Sequence, residues 1–262
     1  MENARIEGKR LGRTPRRDDP RNLKLLKYLP TAVPKAPPTM DITPGIATWP
    51  MFANDQLGDC TCAAVGHMVE VWTDQAAGQP TMLTDAQVIT LYNLVNGGQD
   101  KGANMLDVLH QMRSGPGLAG DHVYAYAQVD PSQTELVQSG AWLFAGLYIG
   151  INMPVSAQQQ TGPGKVWDIA SGPAGQAGSW GGHAVNVVAY DQKGLTAITW
   201  GQPQRMTWAF WKTYVDECWA LLPADWEHLS APLKANGFDF AQLQQDLAPL
   251  GPVDQATAPT PG

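Results

Sequence analysis

Between residues 57 and 77 apolar positions recur at helical spacing. Ala63, Ala64, Met68, Val69, Trp72 and Ala76 fall on turns of one helix, with Asp59 placed to cap its start and Gly78 and Pro80 to end it. A second helix is expected over about residues 85–95, opened by a capping box between Thr84 and Gln87. A third is expected over about 103–113, closed by Gly115-Pro116-Gly117. The pattern then changes period. Residues 122–129 alternate weakly and predict a strand, 131–139 a short helix, and the apolar run Trp142–Ile151 a buried strand. Strands over 184–190 and 195–200 form a hairpin around Gln192-Lys193-Gly194. Residues 154–182, rich in Gln, Gly and Pro, read as one long loop, a length that usually signals function or mobility. Helical satellites, including 240–247, follow Pro223, and there are no repeats. Helices first and strands afterwards make an α+β chain.

Two polar interruptions stand out against this pattern. Cys60 falls in the first turn of the first helix, where free N–H groups and the helix dipole favour an anion and lower a thiol pKa. Free cysteines are also commonly small buried hydrophobes, and the segment alone leaves both readings open. The other interruption is His183, behind Gly181-Gly182 at the entrance of a buried strand. A histidine there is often structural. It becomes a candidate base because a helix-start thiol lies far upstream in sequence, as a nucleophile and base that meet only in space require.

The run Asn54-Asp55-Gln56-Leu57-Gly58-Asp59-Cys60-Thr61, taken with Gly182-His183-Ala184-Val185, resembles the papain-like cysteine peptidases, in particular their bacterial and phage-encoded branch, which carry L-G-x-C-T and G-H-A-V elements. Asp19-Pro20-Arg21 with Met40-Asp41-Ile42 resembles the family's lead-in strand, and Asp100-Lys101-Gly102-Ala103 the segment lining its substrate cleft. The likeness covers roughly residues 15 to 225. It implies a two-lobed fold, a helical lobe carrying Cys60 and an antiparallel β lobe carrying His183. It also implies a thiol hydrolase that cleaves peptide or amide bonds through an acyl-enzyme. The same site could run transamidation or deamidation, and a catalytically weak scaffold or virion protein is the non-enzymatic alternative.

Residue by residue, the resemblance assigns Cys60 as nucleophile and His183 as base. Six residues before Cys60, where the family places an oxyanion-hole glutamine, stands Asn54, whose amide can donate from a stem one carbon shorter. Were Cys62 the nucleophile, the same count would reach Gln56. The family's orienting asparagine has no evident counterpart in Ala197-Ile198-Thr199-Trp200-Gly201, and Thr199 is the candidate replacement. Trp180, Trp200 and Trp208 cluster around the histidine element, either as a shield from water or as ordinary core anchors. His67, His110, His122 and His228 lack such context.

Composition narrows the setting. With 44% hydrophobic and 16% charged residues in 262, the chain can bury a sizeable core. No apolar run approaches the ~20 residues of a membrane span, and the polar start lacks the look of a secretory signal. An odd count of three cysteines fits a reducing compartment, so a cytoplasmic or virion-associated protein is expected. The Cys60–Cys62 pair with His67 lacks a second ligand pair, so neither a metal nor a cofactor is expected. Charge is uneven, with a net +6 in residues 1–35 and −13 in the rest. We read residues 1–45 as a basic, proline-rich arm, 46–225 as the catalytic domain, 226–250 as a helical extension and 251–262 as a disordered tail. The arm can pack on the acidic body, cover the cleft, bind a polyanion or stay solvated. The expected partner is a protein or peptide substrate, with neither nucleic acid nor membrane.

Overall fold

The computed structural model describes residues 8–225 and 227–250, with the side chains of 227 and 228 excepted. The expected tail at 251–262, the first seven residues of the arm and the His228 side chain lie outside that description. After a short lead strand, β1 (Met40–Asp41), come helices α1 (Cys60–Ala77), α2 (Asp85–Asn96) and α3 (Met105–Ser114). The β lobe follows, comprising β2 (Val123–Gln128), α4 (Thr134–Leu143), β3 (Leu147–Met153), β4 (Val166–Trp167), β5 (Gly181–Asp191), β6 (Gly194–Thr199), β7 (Gln202–Thr207), α5 (Trp208–Tyr214) and β8 (Val215–Pro223). Helices α6 (Glu227–Ala235) and α7 (Phe240–Leu247) come last.

The strands form one sheet in the order β2-β8-β3-β5-β6-β7-β4, antiparallel except for the β4–β7 pair, with β1 added to β5. Helix α1 lies against β5, β6 and β3, so the cysteine-bearing helix and the histidine-bearing strand share one interface. Nearly all of α1 is buried, which explains why its polar face is so short. Tyr148 of β3 donates to the Thr61 carbonyl at 2.9 Å, fixing the first turn of α1 against the sheet. The two-lobed α+β arrangement is that of the papain-like fold.

Several boundaries differ from the sequence reading. The capping box of α2 is present, with Thr84 and Gln87 bonded reciprocally. Asp59, by contrast, makes no capping bond: its φ of −97° and ψ of 13° are not the extended N-cap backbone that Thr84 has. Helix α4 runs on to Leu143 where a strand was expected from Trp142, since a short apolar run carries no period that separates buried helix from buried strand. The long loop holds a two-residue strand and short 3-10 turns, and β7, α5 and β8 were missed.

Candidate active site

Cys60 is the first residue of α1 and only 1% exposed. Burial pushes its thiol pKa up to about 11, opposed by hydrogen bonding from the Ala184 backbone and from Gly12 and Arg13. The lowered pKa expected from the helix terminus is therefore corrected: with water excluded, the desolvation of a thiolate outweighs the helix dipole. Cys62 and Cys218 are also buried, with pKa values raised well above normal by burial.

His183 lies on β5 beside Ala184 and is fully buried. Its Nε2 is 2.7 Å from the Thr199 hydroxyl at the end of β6. Trp200 stacks on the imidazole with centroids 4.4 Å apart and planes 10° apart, and Trp180 leans on Trp200 at 5.7 Å. Trp208 sits elsewhere, donating to the Asp191 carbonyl. The other ring nitrogen, Nδ1, is buried without a hydrogen-bond partner. Burial lowers the His183 pKa to about 3, so the ring is neutral. His67 is a core residue, bonded to the Pro50 carbonyl at 2.9 Å and placed between Trp49 and Phe52.

The loop before Cys60 is tightly wound. Phe52 and Ala53 have φ of 54° and 63°, a region costly for residues with a β-carbon. Asn54 is buried, and its amide donates to the Leu57 carbonyl at 3.1 Å. That amide therefore closes its own turn, and Gln56 is exposed beside it. Asp59 has both carboxylate oxygens buried without a hydrogen-bond partner. Burial raises its pKa to about 8, opposed in part by Asn54, so the carboxyl is mostly protonated at neutral pH.

The N-terminal arm, for which covering the cleft was one of the placements left open by the sequence, fills the space between the lobes. Residues 10–14 of the arm run through it, with Arg13 bridged to Ala103. Ala103 donates to the Gly12 carbonyl at 2.8 Å and Thr14 to the Ala103 carbonyl at 3.0 Å, while Arg13 donates to the Gly182 carbonyl at 3.1 Å. Arg10 donates from its backbone to Asn54 at 3.0 Å and accepts from the Trp200 indole at 3.2 Å. The fit at Gly12 is close: a β-carbon there would stand 1.7 Å from the Gly58 carbonyl oxygen. The Arg13 side chain enters the β lobe and pairs with Glu217 at 2.9 Å and Asp216 at 2.8 Å. Farther out the arm makes exposed pairs, Arg17 with Asp107 and Lys27 with Asp246. The charge imbalance hinted at such contacts, but nothing local in the sequence singled out Arg13.

Among the described residues, no cluster of His, Cys, Asp and Glu could hold a metal ion, and no helix is long and apolar enough to cross a membrane. The fold and the placement of Cys60 and His183 define a papain-like architecture, and solved structures similar to this chain are cysteine proteases. Xylellain, a cysteine protease from Xylella fastidiosa, matches with a TM-score of 0.62 at 13% identity, over 83% of this chain and 97% of its own. A procathepsin B from Trypanosoma congolense matches with a TM-score of 0.55 at 11% identity, over 82% and 86%. A cysteine protease from Carica candamarcensis matches with a TM-score of 0.52 at 16% identity, over 71% and 98%. No family model and no curated sequence matches the chain.

Proposed function

We propose that the chain is a thiol peptidase held latent by its own N-terminal arm. The observation that supports this best is a convergence from distant parts of the chain: the helix-start thiol of Cys60 is reached by the backbone of Ala184, next to a histidine whose Nε2 is engaged by Thr199, and by the backbone of Gly12 and Arg13 in the arm. With Nε2–H donating to Thr199, Nδ1 keeps the lone pair and is the base. Cys60 loses its proton to Nδ1 as its sulfur attacks a peptide carbonyl. The imidazolium then protonates the departing amine, leaving a thioester. Water, deprotonated by His183, opens that thioester and releases the acid. The Cys60 backbone N–H in the first turn is one oxyanion donor, and Asn54 the other once its amide is freed from Leu57.

With the arm in place, desolvation holds thiol and imidazole neutral. Admitting water as the arm leaves removes the burial that raises one pKa and lowers the other, so the pair moves toward thiolate and imidazolium. Acyl transfer uses the same groups, with an amine replacing water in the second step. The engaged Asn54 amide favours a second reading, a scaffold without turnover.

Labelling the full chain and an Arg13→Ala variant with a thiol-directed epoxide at pH 6, followed by peptide mapping and an assay on an unfolded protein substrate, tests the proposal. The expected result is slow labelling of Cys60 alone in the parent and faster labelling in the variant, with cleavage that parallels it. Equal labelling of Cys60, Cys62 and Cys218 ends the activated-thiol reading. Selective labelling without cleavage supports the scaffold.

A further inference from the structure

The Arg13 side chain occupies a cavity that is built, not incidental. In the sheet, Gly150 of β3 lies opposite Ala184 of β5 on one side and opposite Glu217 of β8 on the other. The row therefore leads from the residue whose backbone addresses the Cys60 sulfur to a carboxylate that is 2% exposed. Gly150 leaves the room: a β-carbon there would stand 2.3 Å from the Arg13 Nε. One Glu217 oxygen takes both Nη2 at 2.9 Å and Nε at 3.3 Å, while Trp219 donates its indole N–H to the other at 2.9 Å. Asp216 adds a second negative charge from the rim. The fork of a guanidinium suits this arrangement, and a point-charge ammonium suits it less well.

We infer that this cavity is a specificity pocket for an arginine side chain of the substrate, occupied by Arg13 while the arm fills the cleft. The inference rests on the peptidase reading for its use, though not for its binding chemistry. An extended peptide that takes the Gly182 and Ala103 backbone contacts in place of the arm carries a side chain to the same mouth. When Arg13 leaves, Glu217 stays in the sheet as a buried charge. An unpaired buried carboxylate is costly, so the open cleft selects a cationic replacement over an apolar one.

The test uses the full chain with Arg13→Ala. Thermal melts are followed with N-acetyl-arginine amide, with the matching citrulline amide as a neutral isostere, and with the lysine amide. Arginine amide is expected to raise the variant's Tm in a saturable way and to leave the parent unchanged. Citrulline amide should do nothing, lysine amide less than arginine, and Glu217→Gln on the Arg13→Ala background should abolish the response. Equal responses to arginine and citrulline amides, or no response in a folded variant, overturn the pocket. Should Arg13→Ala fail to fold, Arg13→Lys keeps a charge in place without the fork, and the same competition is read there. Peptides differing only by arginine or citrulline at each of the two positions before the cleaved bond complete the set, with at least a tenfold preference for arginine expected at one of them. Arginine binding without turnover of any peptide would sink the peptidase reading and leave the pocket standing. Turnover indifferent to the exchange would do the reverse.

Discussion

The histidine half and the cysteine half of the site are finished to different degrees. Around His183 the ring is held on two sides: Thr199 engages Nε2 and Trp200, at a turn with φ of 46°, stacks on one face, while paired strands carry His183 and Thr199 and Nδ1 is left unbonded. Around Cys60 the parts are strained or diverted. Phe52 and Ala53 have positive φ, the Asn54 amide serves its own turn, Asp59 is buried without a partner, and the arm's backbone reaches the sulfur. On the proposed reading, a held base thus faces a nucleophile whose surroundings would change if the arm moved. The difference teaches that the proposed latency would be stored on the cysteine side, with His183 and Thr199 already engaged.

Substitutions on each side should separate the two halves. Cys60→Ala should abolish both labelling and turnover, a loss of about 10⁴ or more in kcat, while its melting curve stays near the parent's. Turnover carried instead by Cys62 would move the nucleophile two residues along. Next in size is Arg13→Ala, which leaves Glu217 buried and unpaired. Breaking such a pair costs about 3–5 kcal/mol, read as a lowered urea midpoint. Unchanged stability would mean that water already reaches this carboxylate.

Thr199→Val removes the partner of Nε2 on the finished side. The expected loss is about 1–3 kcal/mol of transition-state stabilisation, roughly tenfold to a hundredfold in kcat, with Cys60 labelling preserved. Thr199→Asn should recover much of it, because a carboxamide oxygen accepts without having to place a proton of its own. Equal rates in both variants would leave residue 199 an ordinary strand position.

The most gradual effect is a slope with pH. Burial raises the Asp59 pKa from 3.8 to about 8, so between these values the folded chain holds a proton that the unfolded chain releases. Stability from this group is complete below pH 4 and declines as pH rises toward 8, by no more than about 1.4 kcal/mol per pH unit. His183 acts in the opposite sense: its pKa falls from 6.5 to about 3, so its contribution is present above pH 6.5 and is lost as pH falls toward 3. Urea melts at pH 5 and pH 8 of Asp59→Asn should show a flatter alkaline side than the parent. Parallel curves would place a partner or water on that carboxyl.

Legibility in the sequence followed the range of the interactions. Helix α2 was readable because its capping box lies within four consecutive residues, and α1 because Gly78 ends it in a left-handed cap. Strand β7 begins Gln202-Pro203-Gln204, a polar run with a proline, and is a strand because β6 and β4 pair with it. The pairing of Arg13 with Glu217 spans 204 residues and has no local signature. Cys60 and His183 could be picked out because their contexts, a helix start and a glycine-led strand start, are local. The diversion of Asn54 and the burial of Asp59 depend on how the loop closes, which no spacing encodes.

Gly12 gives the latent state a tolerance of one atom. Because a single methyl at this position would overlap the Gly58 carbonyl oxygen, both partners being main chain, neither side can turn aside a rotamer to make room. On the proposed latency, residue 12 is in genetic terms a one-codon switch: a Gly12→Ala allele, among the mildest changes available elsewhere in the arm, would unseat this segment from Gly58 and make an open form heritable.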